Sequence, residues 1–321
     1  MNMNAAGAGG FHLIDNVLDV RVQLPVALAP GVRLERATAQ QVDWIREQLT
    51  AIGLGGLVGR HGWYECRWVA LPNGSKTTPL PQDQWRYFVL TYDGIPQGQV
   101  AAMDMLRAAN LTEPALASSC WFLTSDAYGA GERRSRGAYI GGGRHDLMPD
   151  PLEEVVDDAA VERWREAARL LSQLDRSRHE GIDRAVSLFQ RLRHTQVADD
   201  FLVLGHFMVI EMLLTHRQGN KEVGDSLTHQ VRTKIPLLSA RMRKGIDHSG
   251  FPDAKSSKAV WEALYEYRSA IAHGRHADFS EKPLKVLRSP TDANRFLAHA
   301  IRRLLRYALE EPQLIDDLKA V

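Results

Sequence analysis

The chain of 321 residues has few of the features that mark secreted, membrane or metal-cluster proteins. It has only two cysteines, which is too few for a disulfide framework or, by themselves, a four-ligand zinc site. The most apolar stretch, residues 201–214, is too short to cross a bilayer and is interrupted by His206 and Glu211. The first ten residues lack the basic and apolar regions of a signal peptide. These absences predict a cytoplasmic protein without a membrane span.

The chain also lacks an excess of charge of either sign. Lys and Arg number 40 and Asp and Glu 39, so the formal net charge is +1. This balance argues against a dedicated non-specific DNA-binding protein but leaves room for a local basic patch. With 44% hydrophobic and 25% charged residues, the composition is that of an ordinary globular protein. The length favours two domains.

Turn signals divide the first part of the chain into short strand-like runs. A helix is predicted at residues 39–52, where Thr38 and Gln41 form a capping-box pattern. A stretch rich in Gly, Arg and Asp at 126–151 is typical of a loop that leads to a domain boundary. Runs of aromatic, β-branched or alternating residues predict strands at 63–71, 85–91, 99–106 and 119–124.

After Pro151 the pattern becomes helical almost to the end of the chain. The helix at 199–215 is apolar all round and should lie at the centre of a bundle. The sequence therefore predicts an α+β protein, with a mixed α+β domain at 1–150 and an all-α helical bundle at 151–321. Further helices are predicted at 152–174, 182–192, 225–243, 256–273 and 291–309. The helix at 225–244 has a basic side formed by Arg232, Lys234, Arg241, Arg243 and Lys244.

The helix at 256–273 carries the most informative pattern. Gly274 follows it in the position where glycine commonly ends a helix. Arg268 and His273 therefore fall in its last turn and a half, where the helix dipole favours cations. A stripe of apolar residues at helical spacing predicts that its other face is packed in a core: Val260, Leu264, Tyr267 and Ile271.

Residues 264–274, LYEYRSAIAHG, resemble the Arg-x4-His signature of the HEPN family, and specifically its Apea-like group of bacterial proteins, several of which act in phage defence. Residues 205–214, GHFMVIEMLL, resemble that group's central helix, which carries a glutamate at the position of Glu211. The resemblance covers roughly residues 180–310. A second Arg-x4-His match, at 243–248, contains Gly245 and is assigned to a helix end or loop.

The resemblance implies a metal-independent endoribonuclease, without a cofactor, that acts in antiviral defence or as a toxin. It further implies products with 2′,3′-cyclic phosphate and 5′-hydroxyl ends. The chemistry is reasonable because a histidine can transfer protons near neutral pH and an arginine fork can stabilise charge on phosphate. Arg268 and His273 are the candidate catalytic residues.

Five other residues are candidates for the same site. Ser269 either donates a hydrogen bond to phosphate or allows close helix packing, and Glu211 either orients a motif residue or pairs with an arginine elsewhere. Tyr265, Arg275 and His276 are candidate substrate-binding residues, with packing and solvated loop positions as the alternatives.

Helix geometry adds an expectation about assembly. Residues five apart on an ideal helix point about 140° away from each other, so one Arg and one His do not easily converge on one phosphate. HEPN proteins meet this by dimerising, so the resemblance implies a homodimer with the 256–273 helix near the interface. The alternative is a non-catalytic HEPN module for dimerisation or ligand binding. Under the first hypothesis residues 1–150 form a sensor or regulator, whose phage-derived or nucleotide trigger the sequence does not identify.

Overall fold

The computed structural model describes residues 9–51, 64–71, 74–118, 120–124, 133–135, 154–194, 199–215 and 227–320. The chain forms two compact units, Met1–Ser172 and Gln173–Val321. Helices and an antiparallel sheet are both present, which confirms the predicted mixed α+β class. None of the helices that the structure describes is long and apolar enough to span a membrane.

The first unit is built on a six-stranded antiparallel sheet. Its strands, and those of two smaller sheets, are β1 (Gly9–Leu13), β2 (Leu18–Val20), β3 (Val26–Ala29), β4 (Val32–Arg36), β5 (Cys66–Leu71), β6 (Gly74–Pro79), β7 (Phe88–Asp93), β8 (Cys120–Thr124), β9 (Arg133–Ser135) and β10 (Glu154–Val156). The main sheet has the order β3-β4-β7-β1-β8-β9. Strands β5 and β6 form a separate hairpin, and β10 pairs with β2 in parallel.

The helices α1 (Ala39–Ala51), α2 (Gln97–Ala109) and α3 (Asp158–Gln173) accompany this sheet. The capping box of α1 is confirmed, since the Thr38 N–H donates to the Gln41 side chain at 2.8 Å and the Gln41 N–H to Thr38 Oγ1 at 3.3 Å. Because β10 pairs with β2 and Trp164 of α3 is buried in the core of this unit, the division between units falls after Ser172, beyond position 150.

Successive side chains of β7 point to opposite faces of the sheet, and a hydrophobic core lies on each face. Leu90 and Tyr92 pack with residues of α2 and α3 on one face, whereas Val89 packs with Phe11 and the Ile45 side chain of α1 on the other. This two-sided burial follows from the period of two along a strand. Every residue of β7 except Asp93 is accordingly buried.

The predicted strand at 99–106 is wrong, because this segment lies within α2. Ala102, Met105, Leu106 and Ala109 are buried on one side of that helix, at the i, i+3, i+4, i+7 spacing that also fits the sequence. Ala, Met and Leu are strong helix formers, so their intrinsic propensity favours a helix over the strand that the alternating pattern predicted. Of the predicted loop at 126–151, all but β9 lies outside the described residues.

The second unit is helical. Its helices are α4 (Glu180–His194), α5 (Asp199–Leu214), α6 (Leu227–Arg241), α7 (Ser257–Ala272), α8 (Pro290–Glu310) and α9 (Pro312–Ala320), with a 3₁₀ helix at Leu284–Leu287. Helix α5 contacts all five of the other α-helices, as its apolar sequence predicts. The last helix, α9, was not predicted. It is separate from α8 because Glu311 leaves the helical conformation, with φ −131° and ψ 60°.

Candidate active site

The C-terminal end of α7 places His273 at the surface in a defined turn. His273 is the C-cap residue that follows the last residue of the helix, and Gly274 after it has φ of 65°, which a residue with a side chain rarely adopts. The Gly274 N–H donates to the Ile271 carbonyl at 3.1 Å and the Arg275 N–H to the Ala270 carbonyl at 2.8 Å. These two bonds form a Schellman motif. The exposed position of His273 therefore depends on a glycine that follows it.

Arg268 points from α7 to the central helix α5. Its Nη2 donates to Glu211 Oε1 at 3.1 Å, and the two side chains are 25% and 20% exposed. Of the two roles considered for Glu211, the structure thus shows the pairing with Arg268. The guanidinium carbon of Arg268 also lies 5.8 Å from the ring centroid of Tyr265. Tyr265 in turn meets Phe207 of α5 edge to face at 5.9 Å, so the arginine is held by an ion pair and an aromatic stack.

Arg275 folds back onto α7 rather than extending into solvent. Its Nη2 donates to Glu266 Oε1 at 3.0 Å and to Ser269 Oγ at 3.3 Å. Ser269 and Arg275, both candidates from sequence, are therefore brought together, and they lie apart from the Arg268–Glu211 pair. Glu266 was not identified from sequence, because its partner is nine positions away and becomes a neighbour only when the chain turns at Gly274.

His276 lies beyond this turn and is exposed. Hydrogen bonds from Ser280 hold the pKa of Asp278 below its usual value, and the charge of the nearby His276 adds to the effect. His276 is thus associated with the Asp278–Ser280 turn, and the structure shows no hydrogen bond that joins it to Arg268 or His273 among the described residues.

Arg268 and His273 border a stretch of α7 with small side chains. Ser269 and Ala272 lie between them on the helix surface, and Ala272 is exposed. On an ideal helix, at about 100° per residue, positions 268 and 273 point about 140° apart. The two side chains therefore do not easily converge on one phosphate within one chain, and the side chains between them are small.

A hydrogen-bond network, in which Tyr267, Asn294 and His206 are buried, joins α7 and α8 to α5. The Tyr267 hydroxyl donates to Asp200 Oδ1 at 2.7 Å. Burial, and then this hydrogen bond, raises the pKa of Tyr267 well above its usual value. Asn294 of α8 donates to the Asp199 carbonyl at 2.8 Å and also contacts the buried His206 at 3.2 Å. The sequence did not predict this network. The adjacent acidic residues at the start of α5, Asp199 and Asp200, were a signal for it.

The second Arg-x4-His match lies outside a helix, as predicted, because α6 ends at Arg241. His248 of that match accepts a hydrogen bond from the Trp261 indole N–H at 3.2 Å, and burial lowers its pKa.

The basic side predicted for α6 is only partly present. Lys234 is buried and donates to the Leu214 carbonyl at 3.0 Å, where it caps α5. The side chain of Arg232 lies outside the described residues.

Two open clefts lie among the described residues of the first unit. One, of about 420 Å³, lies beside the ion pair in which Arg33 donates to both carboxylate oxygens of Asp93 at 2.7 and 3.0 Å. The hydrogen bond from Arg33 lowers the pKa of Asp93. The other, of about 550 Å³, is bordered by Arg36, Trp85 and Tyr87. Within the described residues, no group of three or more His, Cys, Asp or Glu is arranged to hold a metal ion.

Comparison of the chain with family models, curated proteins and solved structures finds no match. The resemblance of residues 264–274 to the HEPN signature therefore rests on the motif and on its surroundings in α5 and α7.

Proposed function

We propose that this protein is a metal-independent endoribonuclease of the HEPN type, which acts in the cytoplasm in antiviral defence or as a toxin. Under this proposal the second unit, Gln173–Val321, contains a HEPN-like bundle and the first unit, Met1–Ser172, is a sensor or regulatory domain. The observation that carries the proposal is the end of α7: Glu211 fixes the Arg268 guanidinium at 3.1 Å while His273 stays exposed on the same helix.

The proposed reaction uses the RNA as its own nucleophile. The ribose 2′-oxygen attacks the adjacent phosphorus while the bond from phosphorus to the 5′-oxygen breaks. Either His273 accepts the 2′-hydroxyl proton and water protonates the leaving 5′-oxygen, or His273 protonates the 5′-oxygen and water accepts the 2′-hydroxyl proton. Arg268 stabilises the charge on the pentacoordinate phosphate. The products carry 2′,3′-cyclic phosphate and 5′-hydroxyl ends. Tyr265 provides a half-buried ring that a base can stack on beside Arg268.

The proposal includes a homodimer, and exposed apolar residues on α5 support it. Phe201 is 64% exposed and Met208 is 54% exposed. They are seven positions apart, so they lie on one side of the helix, and Glu211 borders that side. Large exposed apolar side chains in a row are typical of an interface. A second copy packed on this side would place its own α7 close to the Arg268–Glu211 pair.

A non-catalytic dimerisation module is the second candidate. The observation in its favour is that the charge of Arg268 is already paired with Glu211. An arginine held in this way can stabilise the contact between α5 and α7 without contacting RNA.

Cleavage of RNA in EDTA distinguishes the two candidates. Wild type is expected to cleave total or transfer RNA at discrete positions, with 2′,3′-cyclic phosphate ends. Arg268→Ala and His273→Ala should lose cleavage while they remain folded and dimeric, and Arg184→Ala, which removes an exposed arginine of α4, should retain it. Cleavage that is unchanged in the two motif variants would contradict the nuclease. An intact dimer with no cleavage, and no toxicity on induction during phage infection, would favour the module.

A further inference from the structure

The segment between α7 and α8 contains a row of uncompensated positive charge. Lys282, Lys285 and Arg288 are exposed, and within the part of the chain that the structure describes none of them has a hydrogen-bonding or ionic side-chain partner. Some other exposed arginines of this unit are paired with carboxylates, as Arg184 is with Glu180 and Arg295 with Asp292. Residues 282–288, in contrast, include three cations and no carboxylate.

These cations lie on one short segment around the 3₁₀ helix and recur at intervals of three. Lys285 lies within that helix, Lys282 precedes it and Arg288 follows it. Leu284 and Leu287, also three positions apart, are buried and fix the segment against the protein. The three cations are therefore exposed on an anchored segment.

Arg288 occupies a backbone conformation that disfavours any side chain. Its φ is 65° and its ψ is −55°, and it is the one non-glycine residue with a positive φ among the described residues. The Ser289 N–H donates to the Leu287 carbonyl at 2.7 Å, which makes Arg288 the centre of a strained γ-turn. Glycine would adopt this turn without strain. A side chain held in such a position points to a role for the side chain itself.

The row belongs to the same part of the unit as the candidate active site. The 3₁₀ helix contacts α7 directly. Thr291, three residues after Arg288, donates to Asp199 at 2.9 Å, and the neighbouring Asp200 accepts from Tyr267, which precedes Arg268. An RNA strand cleaved at the end of α7 therefore has only a few nucleotides to extend before it reaches the row.

We propose that Lys282, Lys285 and Arg288 bind the phosphate backbone of single-stranded RNA outside the cleaved nucleotide. The proposal rests on the proposed function in that RNA is taken as the substrate, and it adds the surface that holds the strand. Backbone phosphates fit because the row offers three exposed cations without a neighbouring carboxylate in residues 282–288.

Binding is tested with an RNA that cannot be cleaved. The full-length protein is titrated into a fluorescein-labelled, fully 2′-O-methylated 12-nucleotide strand, and anisotropy gives Kd at several salt concentrations. The variant Lys282→Ala, Lys285→Ala, Arg288→Gly is compared with Arg184→Ala, Lys255→Ala, Lys258→Ala, which removes three exposed cations elsewhere in the unit. The row variant should bind about tenfold more weakly, and its log–log salt slope should fall by about 0.7 for each phosphate that the protein no longer neutralises. The control should match wild type.

Stability and strand length separate this role from a structural one. Arg288→Gly alone should keep or raise the midpoint of thermal unfolding, because it relieves the turn, yet it should weaken RNA binding. A cleavable dinucleotide is too short to reach the row, so wild type and row variant should cleave it equally. An unchanged Kd and salt slope in the row variant, or no RNA binding by wild type, would overturn the proposal. Binding without any cleavage would instead count against the nuclease and leave the row in place.

Discussion

At the scale of single residues, the pair of Arg268 and Glu211 determines how a phosphate would meet the guanidinium. Both side chains are mostly buried, so the pair is not a solvent-screened surface contact. The carboxylate occupies one edge of the guanidinium fork, and the remaining N–H groups of Arg268 keep a fixed direction beside Tyr265. Glu211 is therefore a positioning residue in the proposed nuclease.

Replacing Glu211 tests this positioning. Glu211→Ala should lower kcat for RNA cleavage about 10²-fold with little change in KM, because Arg268 loses its orientation, and should destabilise the fold by about 1–2 kcal/mol. Glu211→Gln, which keeps an acceptor, should restore part of kcat. The matched control is Glu262→Ala on α7, whose contact with Lys258 is long, at 4.0 Å, and exposed. Cleavage at the wild-type rate by Glu211→Ala would show that Arg268 needs no such support.

His248 gives a second prediction at this scale, for stability against pH. Its ring accepts from Trp261 and packs on Phe296 at 5.2 Å, and burial lowers its pKa. In the unfolded chain His248 has its ordinary pKa of about 6.5. As pH falls below that value the unfolded state binds a proton that the folded state resists, so stability falls until the folded pKa is reached.

Urea unfolding at pH 7.5 and pH 5.5 measures the effect. The loss of unfolding free energy on acidification should be smaller in His248→Gln, which retains a hydrogen-bond acceptor for Trp261 but does not titrate. The neighbouring Asp247 does not account for the difference, because hydrogen bonds from Ser249 hold its pKa below the usual value and it stays ionised across this range. An equal loss in both proteins would exclude His248 as a source of the pH dependence.

At the scale of elements, close packing between backbones limits what the first unit tolerates. A Cβ placed on Gly98 of α2 would lie 2.0 Å from the carbonyl oxygen of Asp93, which is backbone and cannot rotate away. Gly98→Ala should therefore displace the start of α2 from the end of β7 and destabilise the protein by about 1–3 kcal/mol. Gly250, where a Cβ meets nothing within 4 Å, provides the control. Chemical denaturation of both variants checks the prediction, and equal stability would contradict it.

The success of sequence reasoning also differs from element to element. Helices α4, α5, α7 and α8 were predictable because each has a long apolar stripe or, for α5, apolar residues on every side. Helix α2 was misread as a strand because a short apolar run fits both periods. Helix α9 was missed because nine residues with a single buried position, Ile315, carry little pattern.

The candidate site shows the same limit. Arg268, His273 and Gly274 were predictable because their spacing is local, and Glu211 because its carboxylate interrupts an apolar helix. The choice of Arg268 as its partner required the crossing of α5 and α7. The return of Arg275 to Glu266 and Ser269 depends on the turn at Gly274, and the strain at Arg288 is a backbone property that residue type alone does not reveal.

At the scale of the whole molecule, a net charge of +1 is compatible with RNA binding only if the positive charge is local. The row of Lys282, Lys285 and Arg288 supplies such a patch. The apolar side of α5 supplies a second specialised surface, and the proposed nuclease needs both, because the first holds the strand and the second brings two copies of α7 together.

Mixing two inactive variants tests whether the site is shared between copies. If Arg268 of one subunit works with His273 of the other, a heterodimer of Arg268→Ala and His273→Ala chains has one site that lacks both groups and one that is intact. A random mixture is half heterodimer, so it should regain about a quarter of the wild-type cleavage rate.

Adding Phe201→Asp to both chains should abolish the recovery and yield monomers by light scattering, because an exposed apolar contact is replaced by charge. The matched Leu237→Asp, on the exposed side of α6, should leave recovery intact. If Phe201→Asp chains stay dimeric and recovery persists, α5 would be removed from the interface, and no recovery in a proven heterodimer would show that each active site takes its Arg and His from one chain.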